Sequence, residues 1–187
     1  MAATIEKRRG ELRADASGKP RRLIGFAARY GVVADIGPFR ERIAADAFAG
    51  SIGKGGTDIL ALLDHDPGKV LGRTRSNTLR LDNRSDGLAF EIDVPDTGAG
   101  RDALVLAIRG DIGGASIGFL VEHEARERDS AGDVRVIRRA RLLEISIVSS
   151  WPAYSGTEVE ARGRVASPER TPRLDALQRY LATVRGS

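Results

Sequence analysis

The sequence predicts a mainly β chain, an antiparallel sheet curled into a barrel or sandwich with flanking helices. Three observations carry that expectation. From Thr57 to Pro95, short apolar or alternating runs follow one another with turn residues between them. Between Gly114 and Ser149, two long alternating segments flank a Ser130-Ala131-Gly132-Asp133 turn, the pattern of an extended hairpin. From Thr97 to Gly110, Ala103, Leu104, Ala107 and Ile108 recur at helical spacing, with a capping threonine before them and a terminating glycine after.

Taken in order, residues 1–22 are polar and charged and end at Lys19-Pro20, which reads as a flexible basic arm. Leu23 to Val33 is aromatic and β-branched and predicts the first strand. After Gly37-Pro38, the segment FRERIAADAFAGSI places Ile43, Ala47 and Phe48 at helical spacing and suits a short helix, closed by the loop around Lys54. Four strand-like runs follow, DILALLDH, KVLGRTRS, NTLRLDN and GLAFEIDVP, with a turn from Asp82 to Gly87 between the last two. The helix and the long hairpin complete a body spanning 23–155. Residues 156–187 form an Arg-rich tail in which Leu174, Leu177, Tyr180 and Leu181 share one face of a short amphipathic helix.

Composition narrows the chemistry. With 187 residues, 41% of them hydrophobic, the chain can fill one core. It has no cysteine, which excludes disulfide scaffolds, cysteine nucleophiles and thiolate metal sites, and suits a reducing compartment. Its two histidines, His65 and His123, cannot supply a three-histidine metal site. The net charge of +4 lies entirely in residues 1–22, where seven basic face three acidic residues, and the remainder balances. The body therefore offers no net positive field for a phosphate backbone. No run approaches the roughly 20 apolar residues of a membrane span, and the N-terminus lacks the apolar stretch of a secretory leader.

Three places depart from a plain β core. His65, flanked by Asp64 and Asp66, ends an apolar run just before a Pro-Gly turn, at a rim where side chains converge. Ser116 stands in GGASIGF, where small neighbours leave room for an incoming carbonyl; alternation puts it with Gly118 on one face and Ala115, Ile117 and Phe119 on the other. Glu144 interrupts RLLEISIVS, where Leu143, Ile145 and Ile147 should share one face and Leu142, Glu144, Ser146 and Val148 the other. A carboxylate there needs a partner, a histidine or one of the chain's 26 arginines. Each place also has a plain structural reading: a solvated turn histidine, a bulged strand, a carboxylate paired with arginine. Together they assemble a hydroxyl nucleophile, an imidazole base and a buried acid. His123 lies seven residues beyond Ser116, roughly 23 Å along an extended strand, and reads as a surface residue. A hydrolase built on the carboxylates Asp64, Asp66 and Glu144 is a further reading of the same residues.

LLDHDPGKVLGRT, GASIGF and LLEISIVSSWPAY, in that order and with Ser116 51 positions after His65 and Glu144 28 positions after Ser116, resemble the HK97-type prohead maturation serine proteases of tailed phages. The similarity runs from about Leu23 to Tyr154. It departs at Ser149-Ser150-Trp151, which is more polar and bulkier than the family's apolar turn. The resemblance implies an antiparallel β-barrel of the herpesvirus-assemblin-like type, with 23–155 as the protease domain. It implies His65, Ser116 and Glu144 as the catalytic triad, with backbone around Ser116, including Ala115, and more weakly Arg138 and Arg139, as oxyanion donors. It further implies no metal or organic cofactor and an endopeptidase inside the assembling procapsid in the host cytoplasm. Its substrates would be the scaffold or the scaffolding segment of the major capsid protein, and itself; a homo-oligomer is possible, and neither nucleic acid nor membrane is engaged. The other class of function compatible with the same fold is a non-enzymatic capsid accessory or scaffold-binding module.

Overall fold

A computed structural model describes residues 5–15 by their backbone, and residues 21–53, 55–112 and 114–149 in full. The Arg-rich tail expected over 156–187 lies outside the described residues.

Ten strands and one α-helix make up the described chain. β1 (Ile5–Asp15) is the first departure from expectation, because these residues form a strand rather than a free arm. Its first part pairs antiparallel with β9 and its last four residues with β2, so it links those two strands into one sheet. β2 (Arg22–Arg29) is shorter than the run to Val33 suggested. It stops where Gly31 turns the chain at φ 73°, and β3 (Val33–Ile36) then hairpins onto β4 (Phe39–Ile43).

The helix expected after Pro38 is not formed. Phe39–Ile43 is extended because β4 runs parallel to residues 134–137 of β10, and the Ala44 N–H continues that ladder to the Ile137 carbonyl at 2.9 Å. The following residues turn, with a single 3-10 turn at Ala49–Ser51, while the Ala140 N–H bonds the Ala47 carbonyl. Ile43, Ala47 and Phe48 are nevertheless buried as a core face, so the apolar spacing was read correctly and the backbone was not.

β5 (Leu60–Leu63) and β6 (Asp66–Arg73) form a hairpin, as do β7 (Leu79–Arg84) and β8 (Gly87–Asp93). Helix α1 (Gly98–Arg109) begins where Thr97 Oγ1 accepts the Gly100 N–H at 3.1 Å, a cap of about 1 kcal/mol, and ends at Gly110 in the left-handed region, φ 80°. Its inward stripe is Ala99, Ala103, Leu106 and Ala107 with Leu104 beside it; Ile108, expected inward, is 55% exposed. β9 (Gly114–Asp129) and β10 (Gly132–Val148) are the long hairpin the alternation predicted.

The ladders run β3-β4-β10-β9-β1-β2-β8-β7, with β5 added to β10 and β6 to β5. Both β4 and β5 lie parallel to β10, so the sheet is mixed and not wholly antiparallel. The sheet curls until β6 and β7 meet at their connecting turn, where the Thr78 N–H reaches the Arg73 carbonyl at 3.1 Å. Among the described residues no ladder joins β6 to β7, so the expected barrel is not closed. Inside the curl, Leu23, Leu79, Leu88 and Ile92 from one side meet Ile117, Phe119, Leu142 and Ile147 from the other. Phe48 sits edge-on to Phe119 at 5.6 Å between ring centres.

Candidate active site

β5 ends in a two-residue loop. Leu63 pairs with Asp66, and the two residues between them, Asp64 and His65, both adopt positive φ, 51° and 58°. This is the backbone of a type I′ hairpin turn, which favours Asn-Gly or Asp-Gly. The turn therefore lies at Asp64-His65, and Pro67-Gly68, read from sequence as the turn, belong to edge strand β6. Placing histidine where glycine is preferred costs about 1 kcal/mol, a local conflict of the kind that collects at functional sites.

Asp64 fastens this loop to the end of β10. Its N–H bonds the Ile147 carbonyl at 2.8 Å, and its carboxylate accepts the Ser149 N–H and the Ser149 hydroxyl, each at 2.7 Å. Asp66 is likewise engaged, with the Gly68 N–H at 2.9 Å and Lys69 at 3.6 Å. Both aspartates hold the loop, which leaves little for a mechanism based on paired carboxylates.

From that loop the imidazole reaches back over β10: His65 Nδ1 donates to Glu144 Oε1 at 2.6 Å, with the histidine side chain 16% and the glutamate 1% exposed. An ionised carboxylate only accepts, so the proton shared in this contact is the one on Nδ1, which leaves Nε2 outside it. Glu41, the other buried carboxylate in the described core, pairs instead with Arg135 at 3.1 Å. The arginine partner that sequence left open for Glu144 is thus found at Glu41, and the histidine partner at Glu144.

Glu144 keeps the face expected for it, opposite Ile145 and Ile147, while a bulge just before it moves Leu142 to the core side. A register shift in β10 between Leu142 and Glu144 breaks the expected alternation. Leu142 joins the core with Ile145 and Ile147, Leu143 is only half-buried, and Glu144 and Ser146 face the other way. On the neighbouring strand, Ala115, Ile117 and Phe119 are in the core and Ser116 and Gly118 on the opposite face, as alternation required. Glu144 is opposite Gly118 and Ser146 opposite Ser116, so His65, Glu144, Ser146 and Ser116 gather on one face of β9 and β10. A Cβ at Gly118 would stand 2.7 Å from Glu144 Cγ and 2.8 Å from Oε1, so the acid lies directly over the missing side chain. Ser146, fully buried, donates its hydroxyl to Glu144 Oε2 at 2.8 Å.

Ser116 itself is 3% exposed, and no hydrogen bond links its hydroxyl to another described side chain. Its strand lies between β10 and β1, with Ser146 on one side and Arg9 in register on the other. Ala115, expected beside the oxyanion, has its side chain in the core and its backbone between Ile147 and Gly10. Arg138 and Arg139 are farther along β10, exposed and ion-paired with Glu127 and Glu122. Arg141 is nearer on the face of Glu144, opposite Leu120, and its buried Nε has no acceptor among the described residues. His123 is exposed opposite Arg139. Among the described residues no group of three or more His, Asp or Glu side chains is arranged to hold a metal ion, and no helix is long and apolar enough to cross a membrane.

Asp64 was read from sequence as a candidate carboxylate beside His65, not as the residue that ties the loop to β10; Gly118, Ser146 and Arg141 were not singled out as site residues. Gly118 and Ser146 stood two positions from Ser116 and Glu144, on the same strand faces, and period-two spacing could have found them.

A family model described as caudovirus prohead serine protease matches residues 8–170, most of the chain, and the chain belongs to that family. No curated protein and no solved structure matches it.

Proposed function

We propose that this prohead protease is a serine endopeptidase in which Ser116 is the nucleophile, His65 its base and Glu144 the acid that orients the base. In this reading His65 Nε2 takes the Ser116 proton as Oγ attacks the peptide carbonyl. The imidazolium that forms is held by Glu144 and returns the proton to the leaving amine, and water then releases the acyl group by the same route in reverse. The carrying observation is the 2.6 Å contact between His65 Nδ1 and the buried Glu144, on the strand face that Ser116 shares. Backbone N–H groups around Ser116, Ala115 among them, are the proposed oxyanion donors. Arg138 and Arg139 are weaker candidates, since each would have to leave its glutamate.

The substrate is the scaffold or the scaffolding segment of the major capsid protein, together with the protease's own termini, cut inside the procapsid. Co-expression with the capsid-protein precursor, read by intact-mass spectrometry, tests this. Wild type should shorten the precursor and Ser116→Ala should leave it whole. Products that persist in Ser116→Ala, or a precursor left uncut by wild type, overturn the reading. A second reading, a non-enzymatic scaffold-binding module with the same fold, draws on the burial of Ser116 and its lack of a hydrogen bond to His65. It expects the uncut precursor.

A further inference from the structure

We propose that Ser146 is a positioning residue for this site, fixing the plane of the Glu144 carboxylate so that Oε1 stays aimed at His65. The inference rests on the triad reading above and adds to it. The terminal torsion of a glutamate is broad, so one bond from His65 to Oε1 leaves the carboxylate free to rock about its axis. A second donor on the other oxygen removes that freedom. Ser146 supplies it from two residues along the same strand face, 2.8 Å from Oε2, while the Gly118 backbone walls the third side.

The environment gives Ser146 little other purpose. It is 0% exposed, on the face of β10 opposite the core residues Ile145 and Ile147 and across the ladder from Ser116. A hydroxyl buried there is unfavourable unless it is bonded, and its one described bond is to Glu144. Alanine or valine would suit such a strand better if packing were the only demand.

The test uses the full chain and a fluorophosphonate probe, in which serine oxygen bonds to phosphorus and fluoride leaves with the serine proton. Peptide mapping identifies the labelled residue, and the limiting labelling rate and half-saturating probe concentration are measured for wild type, Ser146→Ala and Ser146→Cys. Cysteine keeps the volume but is a weak donor, so a packing role would be rescued by it and a positioning role would not. We expect the label on Ser116 and a limiting rate lowered about tenfold to a hundredfold in both variants, with half-saturation unchanged. In a Glu144→Gln background Ser146→Ala should have no further effect, because the group it positions is gone.

An unchanged limiting rate in Ser146→Ala, a rate restored by cysteine, or equal losses with and without Glu144 overturns the role of Ser146 and leaves the triad standing. Label on Ser146, or no label on wild type, overturns the triad reading and this inference with it.

Discussion

Replacing Gly118 by alanine is the sharpest perturbation of the site that leaves its hydrogen-bonding groups in place. Gly118 has no positive φ, so alanine brings no backbone strain; the effect comes from one methyl group. That methyl would stand 2.7 Å from Glu144 Cγ and 2.8 Å from Oε1, where ordinary contacts begin at 3.4 Å. Both strands are buried and laddered, so the glutamate side chain must yield, by at least about 0.7 Å. Such a shift carries a 2.6 Å bond to the outer limit of hydrogen bonding, near 3.2 Å. Misplacement of this size in a catalytic array costs on the order of a hundredfold in rate. Overpacking should also cost about 1–3 kcal/mol of stability, at roughly 2–4 °C of Tm per kcal/mol. The assay is fluorophosphonate labelling of Ser116 beside thermal denaturation. Gly98→Ala serves as the control, since nothing lies within 4 Å of its added Cβ. Wild-type labelling by a folded Gly118→Ala chain would refute the argument that the acid occupies this space and acts through His65.

Asp64→Ala should lose about 1–3 kcal/mol by releasing the Ser149 N–H and hydroxyl, and Asp64→Gly about 1 kcal/mol less because glycine tolerates φ 51°; equal Tm values would remove strain from the account. Deleting residues 1–15 exposes the edges of β9 and β2, so the shortened chain should aggregate or melt without cooperativity; an unchanged cooperative Tm would return this segment to the status of a free arm. Acid should destabilise the fold through its arginine-held carboxylates. The hydrogen bond from Arg80 keeps Asp93 below the ordinary carboxylate range, and that from Arg40 brings Asp129 down to about 2. A folded-state value below the unfolded one gives stability that is present above pH of about 4 and lost as pH falls toward about 2. Tm should therefore be flat near neutrality and drop below about pH 4, with a smaller drop at high salt because both pairs remain partly open to solvent; a salt-independent acid limb would assign the loss to buried groups.

Period and composition were enough for the parts of this protein that depend on neighbours in sequence. The β9–β10 hairpin, the β7–β8 hairpin and the capped helix follow from alternation, turn residues and Thr97 with Gly110. The opposition of Ser116 and Gly118 to Ala115, Ile117 and Phe119 follows from the pleat, and the burial of Glu144 from the apolar run around it. With two histidines in the chain and one of them far along its own strand, His65 was the remaining candidate for a base. What sequence could not supply were pairings between distant segments. Phe39–Ile43 reads as helix until β10 takes it as a parallel strand, and residues 5–15 read as a polar arm until β9 and β2 pair with their backbone, which polar side chains do not advertise. The same holds for the bulge at Leu143 and the Asp64-His65 loop. A ladder slip and a left-handed histidine are locally unfavourable, and only the surrounding packing selects them. The sequence by itself determined which residue types were available for chemistry and on which strand faces they lay; the tertiary structure decided that Glu144 meets His65 and not an arginine, because that choice rests on contacts 79 residues apart.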